Sequence, residues 1–274
     1  MELLIPPAAA EPLFHIGSFP ITNAIINGWI AVFFFLIVAF VANRRRGLVP
    51  LGVHNLIEAT VEFMLGEVQK VTGDLKRAKQ FLPIVGSIFL FILFSNWLGL
   101  LPGTGSIGVW GLHEGQLELI PLLRPAASDL NLTLAMALFV VISSHIVGLI
   151  TLGPVSHLSK FVNVRGIFRS INKGPMAILV AFIEFAVGLI EIISEIAKVL
   201  SLSLRLFGNI FAGEVLLTVM LGIFAYVLPI PFLFLEVLVG AIQATVFAML
   251  TLAYLTVATQ DHGHEEGEHQ PAHA

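Results

Sequence analysis

The chain has 274 residues, 57% of them hydrophobic and 12% charged, with a formal net charge of -4 and no cysteine. Its apolar runs exceed what a soluble core helix needs, so it reads as an all-α polytopic membrane protein with about five crossing helices and one amphipathic surface helix. The lack of cysteine excludes disulfides, thiolate nucleophiles, iron-sulfur clusters and cysteine-based zinc sites.

Residues 1–20 form an N-terminal segment, and neither they nor the first apolar run, 21–43, contain Lys or Arg. Arg44, Arg45 and Arg46 follow that run at once, which predicts an external N-terminus and a cytoplasmic triplet. A cleaved signal peptide has the opposite polarity, so the run reads as a retained span. Residues 51–72 repeat Leu56, Ile57, Val61, Met64, Leu65 and Val68 at helical spacing against Glu58, Glu62 and Glu67. They suit an amphipathic helix at the cytoplasmic surface, with an ordinary soluble connector as the alternative.

Lys70, Lys76, Arg77 and Lys79 keep that region inside. A second span covers 81–101, with Pro83 near its start and Trp97 near its far end. Residues 102–128 read as an external loop whose single basic residue is Arg124. A third span, 130–152, returns to Lys160, Arg165, Arg169 and Lys173, again a cytoplasmic signature. His145 within it is a single imidazole without a spaced partner, which fits hydrogen-bonded packing better than haem ligation.

Residues 176–228 contain no proline. As a straight helix they would measure about 80 Å against a hydrocarbon core of about 30 Å. Either two spans meet at a tight turn or one helix lies steeply tilted. The absence of a turn sequence favours the tilted helix. Pro229 and Pro231 end it on the outside, and 232–258 crosses back to complete a long hairpin. The His- and Glu-rich tail, 260–274, is then cytoplasmic and reads as a solvated tail rather than a metal site. The chain reads as a single membrane domain without an internal repeat.

The chemistry concentrates around Arg205, in Ser201-Leu-Ser-Leu-Arg205-Leu-Phe-Gly-Asn209. A guanidinium keeps its charge at every cellular pH, and at mid-bilayer it costs about 2.5 to 3.5 kcal/mol on insertion scales. Glu191 and Glu195 precede it on one side and Glu214 follows on the other. A step of fourteen residues brings Glu191 within about 40° of the Arg205 face. On the last helix Glu236 lies near the outer end and Gln243 near mid-membrane. Carboxylates at separate depths, divided by a fixed cation, are what two offset half-paths for a cation require. Ser194, Ala197, Ser201, Gly208 and Ala212 make a small-residue stripe on or beside the arginine face, open to close approach by another helix. A static anchor pairing Arg205 with Glu191 or Glu195 is the alternative. Lys198 lies one turn from Glu195, spacing that predicts a local ion pair. Asp129 has two readings, helix N-cap and polar lining of an external entry.

Leu204-Arg205-Leu-Phe-Gly-Asn209 with Ala212-Gly213-Glu214, together with Gln243-Ala-Thr-Val-Phe-Ala-Met-Leu-Thr, resembles subunit a of the ATP synthase membrane sector, and the likeness extends to Asp129-Leu-Asn131-Leu-Thr133. It implies that Arg205 faces a rotating ring of c subunits, each carrying an ion-binding carboxylate. Glu191 would belong to the cytoplasmic half-channel, Glu214 and Glu236 to the external one, and Gln243 would lie beside Arg205. It also implies the steeply tilted hairpin, peripheral-stalk b subunits, a catalytic head elsewhere in the complex and a bacterial plasma membrane. Family members often combine a histidine and an acid where this chain has Glu214 and Glu236, so a relay through imidazole is not expected there. No cofactor is called for, and no phosphate-binding Gly-x-x-x-x-Gly-Lys-[Ser/Thr] loop is present, which leaves ATP chemistry to other subunits. Two rivals predict features the sequence lacks. A secondary cation transporter predicts inverted repeats, and a haem- or quinone-binding subunit predicts paired histidines within spans.

Overall fold

The computed structural model describes residues 7, 9–44, 52–101, 103–104, 107–113, 116–154, 157, 175–223, 227 and 229–260. Among them are the helices α1 (Asn23–Arg44), α2 (Val53–Thr72), α3 (Leu75–Gly99), α4 (Leu130–Leu152), α5 (Pro175–Ile223) and α6 (Pro229–Ala258). All but α2 supply a segment long and apolar enough to cross a membrane. The protein is therefore an all-α polytopic membrane protein. Arg45, Arg46, the basic cluster from Lys160 to Lys173 and the tail beyond Gln260 lie outside the described residues.

Two antiparallel hairpins accompany the helices. β1 (Pro12–Ile16) pairs with β2 (Phe19–Thr22), and β3 (Gly108–His113) pairs with β4 (Gln116–Pro121). The segment expected as a plain loop at 102–128 thus carries a two-stranded ribbon and a 3-10 turn, Ala126–Ser128. The apolar residues Val109, Trp110, Leu112, Leu117, Leu119 and Ile120 give that stretch its strand character.

Local chemistry explains the helix ends. α3 starts ahead of the apolar run because Asp74 caps it, its side chain accepting the Lys76 N–H at 3.0 Å. The basic residues Lys76, Arg77 and Lys79 are good helix formers and join the first turns. Pro83 lies inside α3, where it removes one ladder hydrogen bond without ending the helix. At the other hairpin end, Pro229 and Pro231 sit in the first turn of α6, where missing N–H groups have no intrahelical partner anyway. α5 runs unbroken for 49 residues.

The chain divides into two compact units, Met1–Ala137 with Leu200–Leu252, and Leu138–Val199 with Ala253–Ala274. In the first, α1 and α3 pack through Phe34 stacked on Phe94, ring centroids 4.3 Å apart. Met64 and Val68 on α2 and Ala78, Phe81 and Val85 on α3 are buried. Gly99 lets the chain after β4 close onto the end of α3, since a Cβ there would run into the Pro125 ring. Two buried amides on α1 secure that return. Asn23 Nδ2 donates to the Pro121 carbonyl, and Asn27 Nδ2 donates to the carbonyls of Ser95 and Arg124 at 3.1 and 2.6 Å.

Candidate functional site

The arginine motif lies on α5 in the first unit. Leu202, Leu206, Ile210 and Gly213 are buried at steps of three and four, while Ser201, Arg205, Asn209 and Ala212 are exposed on another face. Arg205 Nη2 donates to Ser201 Oγ one turn back at 3.3 Å. No carboxylate lies within 4 Å of the guanidinium among the described residues. Glu195 pairs with Lys198. On a helix of membrane-spanning length, the polar stripe points out of the chain rather than into it.

A second cluster forms where α5 meets the segment after β4. Arg124, only 2% exposed, reaches Glu214 with Nε at 2.8 and 3.0 Å from the two carboxylate oxygens and with Nη2 at 3.0 Å. Both oxygens are engaged by one planar cation, the fork geometry that makes arginine specific. The rest of the guanidinium donates to the carbonyls of Ala9 at 3.3 Å and Pro7 at 2.9 Å. Glu236 on α6 is buried, and its carboxylate lies directly over Gly213, where any Cβ would overlap it. The carboxylates of Glu214 and Glu236 are near enough to interact electrostatically. Asp129 is also buried and caps α4, its Oδ1 accepting from Asn131 N at 3.0 Å and Asn131 Nδ2 at 3.2 Å. Gln243 is half-buried on α6 and makes no hydrogen bond to Arg205 among the described residues.

The second unit holds a different cluster. Lys198 Nζ bonds Glu195 at 2.6 Å and stands 4.0 Å from Glu191, the local pairing its spacing predicts. The same ammonium lies 5.5 Å from the Tyr254 ring centroid. Glu195 also meets His145 Nε2 at 3.3 Å, and His145 Nδ1 faces His157 Nε2 at 3.3 Å. His145 therefore has a hydrogen-bonded histidine neighbour after all. The sequence hides it because His157 follows the end of α4, off any helical spacing.

The sequence reading singled out Arg205, Asn209, Glu191, Glu195, Glu214, Glu236, Gln243 and Asp129. Of these, Glu214 and Glu236 come together in the first unit and Glu191 and Glu195 in the second. It missed Arg124, Asn27 and His157. A lone basic residue in a polar loop resembles any solvated charge, and only its contact with an acid 90 positions away reveals it. Asn23 and Asn27 did leave a signal, two amides four residues apart in an otherwise apolar span.

Comparison with known proteins gives the family. The family model described as ATP synthase A chain matches residues 25–256. The chain is 31% identical over 252 residues to the ATP synthase subunit a of Moorella thermoacetica, covering 92% of this chain and 96% of that one. It is 36% identical over 244 residues to the ATP synthase subunit a of Mycobacterium ulcerans, with 87% of each chain covered. The subunit a of Campylobacter jejuni strain RM1221 is 35% identical over 224 residues, covering 82% of this chain and 84% of its own. A membrane arginine exposed on a helix of spanning length, carboxylates on the flanking elements and similarity over most of the chain lead to one conclusion: the chain belongs to the ATP synthase subunit a family.

Proposed function

We propose that this chain is the stationary proton-channel subunit in the membrane sector of a rotary ATP synthase, with Arg205 separating two offset half-paths. Family membership supports the general role. The observation that carries the finer one is the exposure of Arg205 on a membrane-spanning helix, without a carboxylate in reach among the described residues. Left against lipid, that cation would cost about 2.5 to 3.5 kcal/mol or more. A neighbouring subunit that presents an acid to it removes the cost, and a ring of c subunits with one carboxylate each fits this requirement.

The proton enters from outside along a path marked by Glu236, Glu214 and the Asp129 end of α4. It neutralises a ring carboxylate, which can then turn into lipid at low desolvation cost. After nearly a full rotation the site meets the inner path at Glu191 and Glu195, releases its proton and passes Arg205 as an anion. Asn209 and Gln243 supply neutral polar contacts beside the arginine. The electrical part of the driving force is about 2.3 kcal/mol per charge per 100 mV. ATP chemistry belongs to the catalytic head, because the chain carries no phosphate-binding loop. Peripheral-stalk b subunits hold the chain still against the torque. The charge pattern supports a bacterial plasma membrane orientation with the N-terminus outside and the C-terminus in the cytoplasm.

The test replaces Arg205 with Ala in the assembled complex and measures ATP-driven proton pumping and passive leak in vesicles. Pumping is lost and leak rises, since nothing then divides the two paths. Wild-type pumping with wild-type leak would refute the separator role.

A further inference from the structure

We propose that Arg124 is a positioning residue of the external path: it clamps the Glu214 carboxylate as a fixed counter-charge, which leaves Glu236 as the carboxylate that exchanges protons there. The proposal rests on the proton-channel reading and divides the work within it.

The two acids are held in opposite ways. Glu214 has three contacts with Arg124 between 2.8 and 3.0 Å, spread over both oxygens. The clamp is itself anchored from several sides. The Ala9 and Pro7 carbonyls take the remaining guanidinium edge, and the Arg124 carbonyl accepts the Asn27 amide at 2.6 Å. Asn27 in turn grips the Ser95 carbonyl on α3. A guanidinium held by two carbonyls of the N-terminal segment, on a backbone tied through Asn27 to α1 and α3, cannot swing away while its partner takes up and hands on a proton. To act as a carrier, Glu214 would have to leave a planar, bidentate contact for each ion translocated.

Glu236 has no such tie. Among the described residues its carboxylate has neither a hydrogen-bond nor an ion-pair partner, although the residue is only 5% exposed. Its place over Gly213 comes from shape rather than from a donor. Such a carboxylate can change protonation without dismantling the structure around it. The charged groups facing this spot are Arg124, Glu214, Glu236 and Glu11 of the N-terminal segment. One fixed cation therefore neutralises one of the acids, and the other has no ion-pair partner among the described residues.

The experiment uses the assembled complex in inverted vesicles and compares Glu214→Gln, Glu236→Gln and the double variant Arg124→Gln with Glu214→Gln. It reads subunit content, ATP-driven pumping, and the pH profile of passive conductance after removal of the catalytic head. Glu214→Gln leaves a buried guanidinium without its counter-charge and lowers pumping. Adding Arg124→Gln removes the stranded charge and raises pumping at least about threefold above Glu214→Gln alone, the coupling expected of contacting residues. Glu236→Gln lowers pumping by at least about tenfold at normal subunit content, as loss of a proton-transfer group does. The pH profile of the double variant follows wild type, whereas that of Glu236→Gln does not. A double variant that assembles normally but pumps no better than Glu214→Gln would overturn the proposal, because Glu214 would then carry protons itself. So would wild-type pumping by Glu236→Gln. Failure of the channel reading itself has a separate signature, wild-type pumping and leak in Arg205→Ala.

Discussion

Gly213 shows how one missing side chain can set the chemistry of its neighbours. It precedes Glu214 on α5 and is covered by the carboxylate of Glu236, so the backbone there serves as the floor of a carboxylate seat. Gly213→Ala places a methyl in occupied space, and overpacking of this kind typically costs about 1 to 3 kcal/mol. The Glu236 side chain then has to rotate away from its seat, and ATP-driven pumping in vesicles falls. Shortening the intruding side chain relieves the clash, so Gly213→Ala with Glu236→Asp pumps better than Gly213→Ala alone. Undiminished pumping by Gly213→Ala would show that the seat does not matter to the path. Arg205 and the two glutamates stand out in the sequence because charge inside an apolar run is costly and calls for a reason. Arg124 does not, because its significance lies entirely in burial and in a partner 90 positions away.

Helix ends decide where such residues stand, and Asp129 illustrates the point at the level of the element. Its carboxylate caps α4 through Asn131, the first of its two sequence readings, while the lining of an external entry is a proposal. Asp129→Ala removes the cap at a cost of about 1 kcal/mol and lowers the denaturation midpoint of the complex. Asp129→Asn retains an acceptor for the Asn131 N–H and separates cap from charge. If the cap is what the residue supplies, Asp129→Asn keeps both stability and pumping. Loss of pumping at unchanged stability in Asp129→Asn would instead assign the charge to the proton path. The spanning helices were readable from apolar length alone, since burying backbone in lipid leaves few alternatives to a helix. The β3–β4 ribbon was not, because its short alternation is broken by Gly, His and Glu, and its pairing is tertiary information. The start of α3 at Leu75 was hidden by the same logic. Basic residues look like loop by charge, yet they extend a helix readily once Asp74 has capped it.

At the scale of the whole molecule, orientation follows from where unpaired cations lie. The first 43 residues have no Lys or Arg, and a triplet follows at 44–46. The one basic residue between 102 and 128, Arg124, is buried against Glu214, so that segment presents no free arginine or lysine to its surroundings. By contrast α2 and the start of α3 carry Lys70, Lys76, Arg77 and Lys79, with Lys70 paired at the surface to Glu67 at 2.6 Å. The positive-inside rule therefore predicts α2 in the cytoplasm and the β3–β4 ribbon outside. The absence of native cysteine makes the test clean. Ala59 on α2 is exposed, and Val109 on β3 is 49% exposed, so each can carry a reporter thiol without entering a core. In inverted vesicles a membrane-impermeant thiol reagent labels Ala59→Cys and spares Val109→Cys, and in right-side-out vesicles the pattern reverses. The opposite result would invert the protein in the membrane. It would also exchange the two half-paths, making Glu236 and Glu214 the exit and Glu191 and Glu195 the entry during ATP synthesis.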